Sequence, residues 1–197
     1  MVKNLRELGN KFEKLLIEAN KSKISLYTFP QNSELLKLLI TGEDHRFKFH
    51  NGVDLVALIR ALFKTLILNK REGGSTIAMQ LVRVLTGRYE ITLSRKFEEI
   101  FLAYKLTQSM PKQEILSLYV SIAYFGWNMH GIQDACKSLK FNINNLSLEE
   151  SASLIARLKY PESKYISKKR IMQIKNRTKY ILKRYSTLQI KDICDSI

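Results

Sequence analysis

Apolar residues recur at the spacing of an α-helix through most of this chain, and this periodicity is the feature that most constrains its fold. A stripe that repeats every three to four residues matches one face of a helix, whereas a strand needs strict alternation. Segments with strand-like alternation are few. The pattern therefore predicts a mainly α fold, with helices over residues 2–22, 53–68, 77–85, 93–108 and 147–159. Ser147 followed by Glu150 adds a capping-box signal at the start of the last one.

Local signals predict further elements between these helices. An extended piece is expected over residues 24–29, and a helix from Ser33 to Leu39 then leads to Glu43. Residues 124–127 are expected to form a turn before a helix that begins at Gly131.

For two of the helical segments, the sequence does not decide between burial in the protein and contact with lipid. Residues 53–68 are apolar around most of the helix circumference, so this helix is either buried or faces lipid along part of its surface. The amphipathic segment 2–22 either packs on the domain or lies on a membrane, and packing is the interpretation that we favour.

The charge balance indicates an anionic partner. The 197 residues suit one domain, or one domain with a small lobe, and 33 Lys and Arg against 18 Asp and Glu give a net charge of +15. Nucleic acid is not expected as the partner, because no helix-turn-helix or zinc signature is present. Two cysteines make neither a disulfide framework nor a metal cluster. No apolar run has the character of a signal peptide or a membrane span.

The C-terminal part is strongly basic. Residues 157–184 contain eleven Lys and Arg and one acid, with apolar residues at roughly helical spacing. This pattern predicts a basic amphipathic helix that either binds an anionic surface or docks on the domain with a solvated cationic face.

The stretch from Glu43 to Asp54 concentrates titratable groups, with three carboxylates and two histidines in twelve residues. Groups this close can perturb one another's pKa, which acid–base chemistry needs, although a polar loop that caps the next helix also explains them. The turn Gly73-Gly74-Ser75-Thr76 offers free N–H groups at a helix start, which suits either a phosphate or an ordinary N-cap.

Four segments in fixed order together resemble the peptidoglycan glycosyltransferases of family 51, which occur as monofunctional transglycosylases and as the polymerase domain of class A penicillin-binding proteins. They are Glu43-Asp44-x-x-Phe47-x-x-His50-x-Gly52-x-Asp54, Gly73-Gly74-Ser75-Thr76-Ile77-x-x-Gln80-Leu81, Arg95-Lys96-x-x-Glu99 and Ile115-Leu116-x-x-Tyr119-x-x-x-x-Tyr124-Phe125-Gly126. The resemblance implies a lysozyme-like helical lobe with a small membrane-facing jaw lobe. It covers residues 36–165, which are the expected glycosyltransferase domain. The flanking residues lie outside the resemblance, and from their own patterns we expect an amphipathic segment at 1–35 and a basic helix at 166–197 that packs on or extends the domain.

The same resemblance implies the reaction and the roles of residues. Such an enzyme joins lipid II, or a related polyprenyl-pyrophosphate-linked sugar, into a β-1,4 glycan with inversion. Glu43 takes the place of the general base and Glu99 that of the second catalytic carboxylate, near the pyrophosphate. The substrate-binding positions are Asp44, Phe47, His50, Ser75, Thr76, Gln80, Arg83, Arg95 and Lys96. No cofactor is obligatory, and a Mg²⁺ or Mn²⁺ ion near Glu99 stays open.

The sequence departs from the family pattern at several positions. Met79 stands where many members carry Gln, Ser121 where the usual residue is Asn, and Ile91 where an Arg is usual. Arg88 is the nearest replacement for that Arg. These changes keep two alternatives open: a diverged, non-catalytic binder of lipid-linked sugar or of a cell-wall enzyme, and a lysozyme-like glycan hydrolase.

The expected partners are a lipid-linked disaccharide, the growing glycan chain and an anionic membrane surface. Members of the family usually have an N-terminal transmembrane helix, and this sequence shows neither such a helix nor an export signal. Three alternatives stay open: a native anchor has been trimmed from this sequence, the protein binds membranes peripherally through its basic helices, or it acts in another compartment. The expectation that we carry forward is a peripheral protein of the bacterial cytoplasmic membrane, on its outer face by family resemblance.

Overall fold

The computed structural model describes residues 2–23, 33–69 and 73–194. The helices are α1 (Val2–Lys23), α2 (Ser33–Glu43), α3 (Leu55–Leu66), α4 (Ile77–Thr86), α5 (Leu93–Ser109), α6 (Lys112–Ile122), α7 (Gly131–Leu139), α8 (Leu148–Lys159) and α9 (Lys168–Cys194), with a short 3-10 helix at Phe47–Phe49. A two-stranded antiparallel hairpin joins β1 (Tyr124–Gly126) to β2 (Met129–His130). The prediction of a mainly α fold is confirmed. The extended piece expected over residues 24–29 lies outside the described residues.

The chain divides into two compact units. The first contains Met1–Leu26 and Asp44–Tyr119, and the second contains Tyr27–Glu43 and Val120–Ile197. The chain therefore passes from the second unit to the first between two residues of the charged stretch, Glu43 and Asp44.

In the first unit, α1, α4 and α5 pack against one another. Their apolar faces are buried because the helical spacing places each stripe on one side: Leu15 and Ala19 from α1, Ile77 to Val82 except Gln80 from α4, and Leu102, Ala103 and Leu106 from α5. The interpretation that the N-terminal amphipathic helix packs on the domain agrees with this contact.

The helix α3 is not a core helix. Asp54 caps it by accepting a hydrogen bond from the Ala57 backbone N–H, and Ala61 is its one buried residue. Six of its large apolar side chains are about half to three-quarters exposed, so of the two alternatives for this segment burial in the core is wrong. The exposed residues are Leu55, Val56, Ile59, Leu62, Phe63 and Leu66.

In the second unit, α2 packs against α8 and α9. Four leucines of α2 are buried, at positions 35, 36, 38 and 39. On α9, Ile174, Ile181 and Tyr185 are buried, so the docked alternative for this basic helix is the one observed. The predicted capping box of α8 is present, because Ser147 and Glu150 hydrogen-bond each other's backbone N–H.

Two sequence-based expectations need correction here. The helix predicted to end at Leu39 continues to Glu43, which is therefore helical. The predicted turn at residues 124–127 is mostly strand, because Tyr124 and Gly126 pair with His130 and Met129.

Candidate active site

Asp44 anchors the charged stretch that follows α2, and it is buried. Its Oδ1 lies 2.9 Å from Nε2 of His50, and its Oδ2 accepts a hydrogen bond of 3.1 Å from the backbone N–H of Ile77. Phe47 is buried beside them, with its ring edge-on to that of His50. The structure thus brings three predicted substrate-binding residues together at the start of α4. Their contacts with substrate stay a prediction.

Thr76 connects the Gly-Gly-Ser-Thr turn to the same stretch. It caps α4 by accepting a hydrogen bond from the Met79 N–H, and its hydroxyl donates to the Gly52 carbonyl at 2.6 Å. Gly52 has φ +82°, and a Cβ there would lie 2.3 Å from Thr107 Oγ1 and 2.4 Å from the Ala103 carbonyl oxygen. Only glycine fits at position 52, because of this close approach to α5. The hydrogen bond from Thr76 to Gly52 therefore fixes the position of the Gly-Gly-Ser-Thr turn.

Glu99 is the centre of a cation cluster, a name we use for Glu99, Arg83, Arg95, Lys96 and Ser75. Arg83 donates from Nη2 to Oε1 at 2.9 Å and from Nε to Oε2 at 3.2 Å, a two-point contact. Lys96 donates to Oε1 at 2.9 Å, and Arg95 donates to Oε2. Ser75 accepts from Lys96 at 3.0 Å and from Arg83 at 3.4 Å.

Exposure within the cation cluster is unequal. The Glu99 side chain is 2% exposed, whereas those of Arg83 and Lys96 are 28% exposed and that of Arg95 is 12%. The carboxylate is therefore internal, and the cations present their outer sides to solvent. Three cations around one anion leave a positive excess, which suits an anionic ligand.

The ionisation of the cluster follows from burial and charge. Burial alone would raise the pKa of Glu99, but the hydrogen bonds from Arg83 and Lys96 outweigh it and hold that pKa below its usual value. For Lys96, burial lowers the pKa, and the charges of Arg83 and Arg95 act in the same direction against the Glu99 hydrogen bond. Glu99 is thus a carboxylate, not an acid, at neutral pH.

This donor set does not suit a divalent metal ion. Both oxygens of Glu99 already accept hydrogen bonds from cationic groups. Among the described residues no group of three or more His, Cys, Asp or Glu side chains is placed to hold a metal. We therefore derive no step through Mg²⁺ or Mn²⁺.

The departures from the family pattern have distinct structural outcomes. Ile91 is fully exposed, and Arg88 pairs with Glu90 and Glu98. Arg95, one turn before Glu99, donates a hydrogen bond to the Glu99 carboxylate. Met79 is fully buried in α4, so an apolar residue suits its position.

Gln80, the next residue of α4, contacts a residue of the fourth motif. It accepts a hydrogen bond from the hydroxyl of Tyr119, which is buried. Tyr119 belongs to the fourth motif, and sequence reasoning assigned it no role in the site. Its contact links the second and fourth motifs within the first unit.

Glu43 lies in the second unit, at the last residue of α2, and its side chain is 12% exposed. Arg177 of α9 lies beside it, with its Nη2 atom 3.3 Å from Oε1 of Glu43. Sequence reasoning missed Arg177, since it lies 134 positions from Glu43. A detectable signal existed: a cation stands on the apolar stripe of α9, where charges are rare unless paired.

No helix in the described ranges combines the length and apolar character that crossing a bilayer requires.

Comparison with known proteins gives a consistent result. The model of the family described as Transglycosylase matches residues 9–186. Penicillin-binding protein 1A of Streptococcus pneumoniae is 36% identical over 126 residues, which are 62% of this chain and 18% of the relative. Penicillin-binding protein 1A of Rickettsia typhi is 34% identical over 158 residues, 77% of this chain and 20% of the relative.

Penicillin-binding protein 1F of Bacillus subtilis is 32% identical over 151 residues, 75% of this chain and 21% of the relative. The chain therefore spans about a fifth of the length of these three relatives.

Proposed function

Because the chain belongs to the transglycosylase family, we propose that it is an inverting glycosyltransferase that polymerises lipid II, or a related polyprenyl-pyrophosphate-linked sugar, into β-1,4 glycan. The 4-hydroxyl oxygen of the acceptor sugar bonds to the anomeric carbon of the donor, and the bond from that carbon to the pyrophosphate breaks. The bonding electron pair leaves with the pyrophosphate, and the hydroxyl proton passes to a base. The protein must supply that base and must stabilise the charge on the leaving group.

The observation that carries this proposal is the cation cluster. A pyrophosphate gains negative charge as it leaves, and fixed cations in a partly desolvated site stabilise that charge more than water does. Arg83, Arg95 and Lys96 repel one another, and the internal carboxylate of Glu99 is what allows them to converge. Glu99 therefore assists at the pyrophosphate by organising cations, not by transferring a proton.

Glu43 is proposed as the general base. A base must be ionised when the acceptor hydroxyl arrives and must be held in one orientation. Its contact with Arg177 and its place at the end of a packed helix support this role. The hydroxyl and amide groups of Ser75, Thr76 and Gln80 are proposed to bind sugar or phosphate.

We further propose that the protein works at the surface of the bacterial cytoplasmic membrane, on the outer face as in the family. The exposed apolar side of α3 supports contact with lipid, because a contiguous apolar patch of this kind usually marks an interaction surface. Exposed lysines of α9, at 168, 169, 175 and 179, add attraction to anionic headgroups.

The test is polymerisation of labelled lipid II by the purified protein in detergent, beside E43Q and the matched control E149Q. Glu149 is an exposed carboxylate of the same unit. We expect polymer from the wild type and E149Q, and none from E43Q, with substrate binding retained in E43Q. Equal polymer from E43Q would refute the role of Glu43.

The exposed Ile91 favours testing the diverged, non-catalytic binder as a second candidate, because the family's Arg is absent there. Binding of lipid II by the wild type without polymer, under conditions where a known transglycosylase is active, would support it. Release of new reducing ends from purified peptidoglycan would instead indicate a glycan hydrolase.

A further inference from the structure

Arg177 makes an unusual pair of contacts inside the second unit. One nitrogen of its guanidinium, Nη2, donates to the backbone carbonyl of Gly42 and also lies 3.3 Å from Oε1 of Glu43. The two charged side chains are only 16% and 12% exposed. A single donor group thus contacts both the end of a helix and the carboxylate that the proposed function uses as base.

The end of α2 needs such a cation. The last carbonyls of an α-helix have no partner within the helix, and its C-terminus has a partial negative charge that disfavours a nearby carboxylate. No basic residue lies in the last turn of α2 itself. Arg177 therefore supplies from α9 the positive charge and the donor that the end of α2 lacks.

The position of Arg177 is fixed by packing around it. Ile174 and Ile181 lie on the same face of α9 and are buried. A Cβ at Gly42 would lie 3.3 Å from Ile181 and 3.0 Å from Ile155, so α9 and α8 both reach the backbone of α2 at this point.

A second contact fixes the register of the two helices. The Tyr185 hydroxyl donates to Oε2 of Glu34 at 2.8 Å, near the start of α2. Eight residues separate Tyr185 from Arg177, and eight separate Glu34 from Gly42, or about 12 Å along each helix. Because these two distances match, the contact of Tyr185 with the start of α2 places Arg177 at the end of α2.

Two further details show that contacts, not solvent, determine where the guanidinium lies. Its Cζ lies 5.0 Å from the ring centroid of Tyr180, which braces it from one side. Its Nε is buried and has no hydrogen-bond partner among the described residues. Burying a donor without a partner costs free energy, so the contacts that Nη2 makes with Gly42 and Glu43 must contribute more than this cost.

We propose that Arg177 is a positioning residue for Glu43, an inference that rests on the proposed function. It holds the carboxylate in one orientation while the acceptor hydroxyl binds. When the proton passes to Glu43, Arg177 transfers none, because a guanidinium stays protonated. The basic helix α9 is thereby part of the catalytic apparatus and not only a charged surface.

The test compares R177M, R177K and R177A with the control K137M in the lipid II assay. Lys137 is an exposed cation of α7, so K137M removes the same charge elsewhere in the unit. We expect kcat of R177M to fall on the order of 100-fold, as for a base displaced by about an ångström, while KM for lipid II and the activity of K137M stay at wild-type values.

Rescue of activity distinguishes a positioning role of Arg177 from a role in folding alone. Because one nitrogen makes both contacts, R177K should recover at least about a tenth of wild-type kcat. Guanidinium ion, well below denaturing concentrations, should raise the kcat of R177A and leave that of E43Q unchanged. Wild-type kcat in R177M, or no rescue by either route in folded variants, would overturn the inference.

Failure of the proposed function gives a different result. A wild type that makes no polymer refutes the proposed activity, whereas an active wild type with an active R177M refutes only the inference. Melting temperatures of E43Q, R177M and the double variant provide a readout without substrate. Non-additive shifts support the contact, and additive shifts contradict it.

Discussion

Replacing Glu99 by Gln removes the only carboxylate of the cation cluster with almost no change in shape. The side chain is 2% exposed, and both oxygens accept from Arg83, Arg95 or Lys96. Removing one partner of a buried ion pair costs about 3–5 kcal/mol, because the other charge is left uncompensated. Water reaches the two cations that are 28% exposed, so we take the lower end, about 3 kcal/mol.

For a chain of this size, about 3 kcal/mol corresponds to a fall in melting temperature of about 6–12 °C. The assay is thermal unfolding by circular dichroism at neutral pH and low salt. Inorganic pyrophosphate should raise the melting temperature of E99Q more than that of the wild type, because an added anion replaces the missing carboxylate.

The neighbouring variant E98Q is the control. Glu98 also pairs with two cations, Lys11 and Arg88, but these lie on α1 and before α5 and are 37% exposed. We expect E98Q to lose some stability and to gain no extra response to pyrophosphate. An E99Q protein that melts within about 1 °C of the wild type would refute the argument that Glu99 compensates these cations.

The pH dependence has a definite sign. The hydrogen bonds that outweigh burial hold the pKa of Glu99 below its usual value, so folding favours the ionised form. Its contribution is fully present above the unfolded pKa of about 4.3 and is lost as pH falls through the lower folded value. The difference in melting temperature between wild type and E99Q should therefore be constant from about pH 7 to pH 5 and shrink below about pH 4.

Three smaller predictions test the surroundings of the site. G52A should lower the urea midpoint, with a loss of at least about 2 kcal/mol, because its φ is +82° and a Cβ would lie 2.3 Å from Thr107. S147A should cost about 1 kcal/mol in thermal unfolding, since the hydroxyl accepts from the Glu150 N–H. In a C194S background, Cys136 should react slowly with a thiol reagent at pH 8 until urea unfolds the protein, because burial raises its pKa to about 11; fast reaction in the folded state would contradict this.

The sequence predicts well what depends on local spacing. Arg95, Lys96 and Glu99 share one turn of a helix, so their meeting follows from the helical prediction alone. Arg83 reaches them because α4 packs on α5. The family resemblance selected it from the sequence, two residues beyond the second motif as quoted. Arg88 was named as a substitute from its proximity in sequence, and its observed partners, Glu90 and Glu98, lie within ten residues of it.

The sequence predicts less well what tertiary packing decides. The α2 helix was expected to end at Leu39, and Thr41 and Gly42 beyond it are poor helix formers. Instead, Gly42 stays helical, since its missing side chain lets Ile155 and Ile181 approach the backbone. The β-hairpin was missed because strands of three and two residues carry no period-two pattern.

The two proposed catalytic carboxylates differ in how far along the chain their cationic partners lie. The cations that contact Glu99 lie within 16 residues of it, whereas Arg177, which contacts Glu43, lies 134 residues away. Yet Arg177 follows from the docked alternative for α9, because residues 174, 177 and 181 share one helical face. If Ile174 and Ile181 are buried, the guanidinium between them must also turn inward and must find an acceptor. The many Lys and Arg residues of α9 made this requirement hard to see in the sequence. A count of charges does not distinguish the one cation that faces inward from those that face solvent.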